Sequence, residues 1–443
     1  MKPVSFRTAS QWNLCASLEV VRLSLIATAS LILSAFAPCD AQTVKQVRAI
    51  AKQGPNALPQ LGQLLKNPDT QIRAEVVRGI VDIGTPKSLD YLIEATHDVD
   101  ESIQIRATDG MVNFYLPGYV AIGVTAKIQR AGSSVKSRFV DRNDQVIDPY
   151  VMVRLEVIQA IGALIRTGSS QDSRANAARA VGILRGRQAL PDLYEGVRSK
   201  DSDVLYESII ALQKIADPAA APKIQYLIRD PKDKVQVAAI ETAGLLHNMD
   251  ALPDLRTVLT TTTKPKVKKT TLNAIAMLPS PQDRPIYTDF LRDKDDGMRA
   301  IAAEGFGRLR DPADIPMLEK AYQDETKRQV QISLSFALVM DGKNQFAPEP
   351  SPLSFLIDQL NQASFGSAAH ALLTEAAQDP TVRAQLYTPM EQGTRDEKIN
   401  LAQILAVTGD RDAEPHIEKI SRDLDKQVAE EGLRALRNLR ARL

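Results

Sequence analysis

The chain has 443 residues, 44% of them hydrophobic and only 5% aromatic, with 55 basic and 54 acidic side chains and a net charge of +1. The length exceeds one ordinary hydrophobic core. The charge balance excludes a chain driven as a whole toward nucleic acid or an anionic membrane.

The first stretch reads as a secretory signal. Lys2, Arg7 and Arg22 give a basic leader, and residues 23–37 form an apolar run of 15 residues, short of the roughly 20 that a membrane helix needs. Cys39-Asp40-Ala41 then offers small residues for cleavage after Ala41. The expected layout is a signal peptide over 1–41 and a helical repeat array over 42–443. A retained anchor is the alternative. Cleavage would remove Cys15, Cys39 and Trp12, leaving no thiol for a disulfide, a metal site or a nucleophile. The absence of an Asn-x-Ser/Thr sequon points toward a bacterial envelope, so an exported, periplasmic or extracellular protein is expected.

Helices are predicted over 43–53, 58–66, 72–83 and 89–96. His97-Asp98-Val99-Asp100-Glu101 follows. It resembles a metal cluster on paper, but Asp98 with Glu101 three residues on reads better as a capping box.

Residues 117–149 break the pattern. This insertion carries Lys127, Arg130, Lys136 and Arg138 with no acid before Asp141, and Tyr115 and Tyr119 stand where it begins. Insertions in repeat proteins map to one face, often the binding face. These six residues are the candidate partner-binding set.

A proline ladder then sets the period. Pro191, Pro222, Pro253, Pro285 and Pro316 are 31, 31, 32 and 31 residues apart, a spacing that marks a stacked repeat. Two residues beyond each proline sit Leu193, Ile224, Leu255, Tyr287 and Leu318, and apolar or small residues recur three and four positions later. That spacing is one face of a helix, and proline is tolerated in its first turn. A preceding helix is marked by Arg73, Arg106, Arg154, Arg174 and Arg299, each opening a run of small residues. Eight residues after Arg154, Arg174, Gln236 and Arg299 stand Gly162, Gly182, Gly244 and Gly307, where helices can approach closely. Asp203, Asp233 and Asp296 are placed for N-caps. Arg198, Arg229 and Arg292 recur seven residues after their prolines. In a last turn they offset the helix dipole.

These elements resemble HEAT-like repeats of the phycobilisome-lyase type. The resemblance rests on Ile72-Arg73, Ile105-Arg106, Val153-Arg154 and Met298-Arg299 in the first helix, and on Leu190-Pro191-Asp192-Leu193 and Leu252-Pro253-Asp254-Leu255 in the second. It implies an all-α solenoid, a superhelix of antiparallel helix pairs, of the kind that serves mostly as a binding scaffold. Its lyase members also imply an alternative, an enzyme or enzyme subunit acting on bilins.

Lys264, Lys266, Lys268 and Lys269 form a local basic cluster. They are candidate anion-binding residues and carry a second alternative, a polyanion or nucleic-acid binder. No aromatic stacking platform accompanies them, so a solvated turn is the plainer reading. Residues 343–352 hold Pro348, Pro350 and Pro352 and read as an extended linker. The final helix, with Arg434, Arg437, Arg440 and Arg442, reads as a polar cap with its arginines outward.

Catalytic patterns are absent from the sequence. His97, His247, His370 and His416 show no H-E-x-x-H spacing, and there is no G-x-S-x-G elbow or phosphate loop. The reading is a non-enzymatic scaffold of the bacterial cell envelope with a protein or peptide partner, no cofactor and no metal.

Overall fold

A computed structural model describes residues 43–119 and 145–443. Residues 1–42, expected to hold a signal peptide, and the insertion's Lys127, Arg130, Lys136 and Arg138 lie outside the described residues. The chain divides into two compact units after Gly79. The first contains α1 (Val44–Ala51), α2 (Leu58–Leu64) and the start of α3 (Thr70–Ile83). Thr43 and Gln46 form a capping box on α1.

In the second unit the proline ladder fixes one layer of helices. The prolines stand second in α8 (Leu190–Gly196), α10 (Ala221–Ile224), α12 (Leu252–Thr261), α14 (Arg284–Phe290) and α16 (Ile315–Asp324). There their missing N–H groups cost no hydrogen bond. The residues two beyond, Leu193, Ile224, Leu255, Tyr287 and Leu318, are all fully buried. The other layer is α5 (Glu101–Tyr115), α7 (Gln171–Ile183), α9 (Ser202–Ile215), α11 (Asp233–Leu245), α13 (Pro265–Ala276), α15 (Asp296–Leu309) and α17 (Arg328–Met340), each packed on the next. No strand occurs among the described residues. The arrangement is the expected α-solenoid of stacked helix pairs.

Glycine sets the spacing of this layer. A Cβ on Gly182, Gly244 or Gly307 would lie 2.7, 3.0 or 2.6 Å from the Cα of Ala211, Ala274 or Ala337 on the next helix. Small residues on both sides let backbones touch, as the run of Ala and Gly predicts. Tyr287 occupies a position filled elsewhere by Leu or Ile. Its ring fits because Gly305 has no side chain, a Cβ there lying 2.6 Å from the ring.

A back-capping device recurs at the start of these helices. Gln104, Arg174, Gln236, Arg299 and Gln331 donate to the carbonyls of Asp98, Ile165, Ile228, Asp293 and Glu325, at 2.7 to 3.0 Å. Each satisfies a carbonyl at or just beyond the end of the preceding helix. In the first unit Arg73 does the same to Asn67. The arginine ladder is therefore a structural brace, with two corrections. Gln104 rather than Arg106 holds the position in α5. Arg154 is the N-cap of α6 (Leu155–Thr167), a helix that packs with α4 (Ser88–Ala95) and α8 and so lies in the proline layer. The insertion thus falls inside one helix pair, between α5 and α6.

The caps also shift. Asp201 caps α9 and Asp295 caps α15, while α11 starts after Lys232 without a side-chain cap. Asp203, Asp233 and Asp296 are already helical. Near His97, Asp100 rather than Asp98 caps α5, accepting from the Ser102 and Ile103 N–H groups. Asp98 instead accepts from the Asp100 N–H at 2.9 Å.

Beyond α17 the pairing becomes irregular. A strap over 343–351 leads to α18 (Pro352–Asp358), then α19 (Gly366–Ala376), α20 (Pro380–Gln385), α21 (Tyr387–Gln392), α22 (Arg395–Thr408), α23 (Glu414–Ile420) and α24 (Lys426–Arg440). α19 packs between α17 and α22, and α24 packs on α22. The strap is tied down: Asn344 donates to Thr381, Phe346 N–H to Gln385, and Ser351 to the Phe346 carbonyl. The final arginines stay exposed, as expected of a polar cap, but engage neighbours. Arg440 pairs with Glu414, Arg442 donates to the Ala406 carbonyl, Arg437 lies over Tyr150, and Arg434 meets Asp148 at 2.8 Å.

Candidate functional site

Many charges of the array are matched within it. Asp203 pairs with Lys234 at 3.0 Å and Asp233 with Lys264 at 2.5 Å, repeat to repeat. Lys264 is the N-cap of α13. Lys268 lies over the Phe290 ring and Lys269 is 3.9 Å from Asp295, while Lys266 acts on Glu241. The four lysines therefore face separate neighbours. Arg198 meets Glu195 and Arg229 meets Asp254, so those last-turn arginines are ion-paired as well.

Of the candidates at the insertion, the Tyr115 hydroxyl accepts the backbone N–H of Arg154 at 3.1 Å. It pins the start of α6 across the inserted residues. Tyr119 is 4% exposed, packed inward. Among the described residues no group of three or more His, Cys, Asp or Glu is placed to hold a metal ion. His97 turns its Nδ1 to the Ile93 carbonyl at 3.2 Å.

Polar side chains line a cleft of about 520 Å³ between α19 and α22, where Asn400 donates to the Asp396 carbonyl at 2.8 Å. Asp396, Asn400 and Gln403 line one wall, spaced i, i+4, i+7 and so sharing a face of α22. Gln362, Ser367 and His370 line the other. The walls are held by hydrogen bonds outside the cleft's open side. Asn361 donates to Glu397 at 2.6 Å and accepts from Thr394 at 2.7 Å, while Thr394 and Glu397 form a capping box. The His370 Nε2 is shut off from solvent with no partner among the described residues, and burial holds its pKa below the ordinary value. The imidazole is therefore neutral. Burial, then the charges of Glu397 and Glu349, raise the Asp358 carboxyl nearby. The surroundings are thus acidic rather than basic. What such a wall can do chemically is hydrogen-bond to amides and attract a cation. Ser367 and His370 share one wall, and the His370 Nε2 makes no hydrogen bond to the Ser367 hydroxyl.

Sequence reasoning passed over this cleft. Its one legible signal was the polar i, i+4, i+7 row on a helix of the close-packed layer.

The sequence profile of HEAT repeats matches residues 40–111, 158–225, 222–304 and 265–338. No curated protein matches the chain in sequence. Among solved structures it is similar to the CpcE–CpcF complex of phycocyanin lyase from Nostoc sp., at 15% identity over 67% of this chain and 94% of that one, TM-score 0.35. It is similar to Kap95p in complex with RanGDP at 12% identity over 90% and 59%, TM-score 0.44. A designed armadillo repeat protein shares 17% identity over 50% and 99%, TM-score 0.31. With the repeat profile covering more than half of its length, the chain belongs to the HEAT-repeat family, a repeat scaffold suited to protein–protein interaction.

Proposed function

We propose that this protein is a non-enzymatic scaffold of the bacterial cell envelope, and that the cleft between α19 and α22 takes an extended segment of a protein partner. The observation that carries the reading is the row Asp396, Asn400 and Gln403 facing Gln362 and Ser367 across an open cleft. Amide side chains at helical spacing can pair with the backbone of an extended peptide, and Asp396 favours a lysine or arginine within it. Lys264 and Lys269 already face carboxylates and Lys268 lies over a ring, which weakens the polyanion reading of Lys264, Lys266, Lys268 and Lys269. The basic residues of the insertion remain part of the proposal as a second contact.

Export is supported by the basic leader and apolar run of residues 1–41. Among the described residues no helix is long and apolar enough to cross a membrane. N-terminal sequencing of the protein from an envelope fraction should begin at Gln42; an intact leader would sink the cleaved form.

The binding test is capture from envelope extract with three proteins: the mature chain, a chain with Asn400→Ala and Gln403→Ala, and a chain with 118–148 replaced by a short linker. Loss of the same partner with the double variant supports the cleft. Retention there with loss in the linker chain moves the site to the insertion. Capture unaffected by either variant overturns both.

A further inference from the structure

A second register runs through the array. An arginine meets the acid 27 residues further on: Arg256 to Asp283 at 2.7 and 3.0 Å, Arg284 to Asp311 at 2.6 Å, and, within the irregular region, Arg383 to Asp410. At Asp341 the register fails. The residue 27 positions earlier is Asp314, so a carboxylate stands where a guanidinium belongs. Arg284 already bonds Asp311 and one oxygen of Asp314. Asp341 is 3% exposed and Asp314 7% exposed. The second oxygen of Asp314 and both oxygens of Asp341 are buried with no hydrogen-bond partner among the described residues. A buried acid in that state carries a desolvation cost unless it is neutral.

Asp341 also occupies a special place in the chain. It is the C-cap of α17. Gly342 follows at φ 115°, then the strap that leaves the repeat register. Lys343, the nearest cation along the strap, is engaged by Glu319.

We propose that Asp314 and Asp341 form a proton-binding site: one shared proton keeps the joint between α17 and the strap closed, and its loss lets the joint loosen. The shared proton supplies the donor that the orphaned oxygens lack. A divalent ion is disfavoured, since no group of three metal-ligating side chains is assembled among the described residues. The charged groups acting on Asp341 are Asp314 and Asp311 in the turn before α16, and Arg284 on α14. Burial, then Asp314, then Asp311 push its carboxyl up to about 7; the Asp311 N–H, outside hydrogen-bond geometry, and Arg284 oppose them without prevailing.

The sign follows from linkage. An unfolded aspartate titrates near 3.8 and the folded one near 7, so the folded joint binds more protons between those values. Its stability is full below the lower value and falls as pH rises through the upper one. His370 acts oppositely: with its folded pKa lowered by burial, stability falls as pH drops below the ordinary histidine value of about 6.5.

The test is hydrogen exchange of the amides of residues 337–346 in the full chain from about pH 5 to about pH 9, corrected for intrinsic rates, beside Asp341→Asn and Asp314→Asn. The native opening constant should rise by up to about tenfold per pH unit below about 7 and level above it. Asp341→Asn should remove most of that slope, and Asp314→Asn should move the levelling point below about 7, because burial still acts on Asp341. A native-like slope in Asp341→Asn overturns the proposal. So does a calcium-induced closing at about pH 9 seen in the native chain and lost in Asp341→Asn, which would make the site a cation site. If Asp341→Asn folds poorly, Asp314→Asn carries the test, and a levelling point unmoved in it overturns the proposal.

Discussion

The stretch from α7 to α17 and the stretch from the strap to α21 use the same chemistry with different bookkeeping of charge. In the first, buried charges such as Arg179 and Asp283 have a partner about one repeat away. Arg179 and Glu207 are 5% and 2% exposed and bonded twice, at 2.7 and 3.1 Å. In the second, groups are shared or left over. Glu375 reaches back to Arg308 on α15, which already meets Glu304, and among the described residues Asp341 has no ion-pair partner and the His370 Nε2 no hydrogen-bond partner. The lesson is that a regular register disposes of charge automatically. Where the register breaks, surplus carboxylates and open polar walls appear, and binding chemistry has room to develop.

The sharpest way to test that contrast is to remove one acid from each region. Glu207→Ala removes both of these hydrogen bonds from the buried Arg179 guanidinium, which should cost about 3–5 kcal/mol. Glu375→Ala leaves Arg308 with Glu304 still 3.4 Å away, and should cost only about 1 kcal/mol. Glu304 is held above the ordinary carboxyl range by burial, and Glu375 adds to that. Losing Glu375 therefore relieves part of the repulsion. Hydrogen exchange resolved by helix is the measurement, because a repeat array need not unfold in one step. Equal losses in the two variants would erase the contrast.

Much of the first region was legible. The proline period, the buried position two residues beyond and the glycine approach all follow from spacing alone, since they involve neighbours one repeat apart. What escaped was anything needing the third dimension. Gln104 and Arg106 are both polar, and only backbone direction shows that Gln104 reaches the Asp98 carbonyl. Val153-Arg154 has the letters of a first-layer helix, yet the insertion shifts α6 into the proline layer. The cleft lies between helices 30 residues apart, in the region where the period had lapsed and no template said which faces meet. The Asp314–Asp341 juxtaposition was present as a 27-residue spacing, but it had no meaning until Arg256–Asp283 and Arg284–Asp311 revealed the register.

A middle-sized effect probes close approach in the regular region. Gly307→Ala should gain roughly 1 kcal/mol of helix propensity. It also forces a Cβ to 2.6 Å from the Ala337 backbone, and overpacking of this kind costs about 1–3 kcal/mol. A net loss focused on α15 and α17 is expected. A net gain, read by the same exchange experiment, would mean that the two helices separate freely and that the spacing is not set by glycine.

The smallest effect belongs to the longest-range contact. Asp148 and Arg434 are 286 residues apart and 2.8 Å from each other, and Arg437 covers Tyr150 beside them. An exposed pair is worth roughly 0–1 kcal/mol, so Arg434→Glu should barely alter the unfolding of α24, which rests on buried Val428, Ala435, Leu436 and Leu439. The contact nevertheless decides whether the last helix stays beside the end of the insertion. A cysteine pair at 148 and 434, tested for cross-linking in solution, separates geometry from energy. Efficient cross-linking with a near-zero stability change for Arg434→Glu is the expected result, with any effect weakening in salt. If the pair instead fails to cross-link in a folded chain, α24 does not return to the insertion. The terminal repeat then ends as an open cap, as the amphipathic sequence alone suggests.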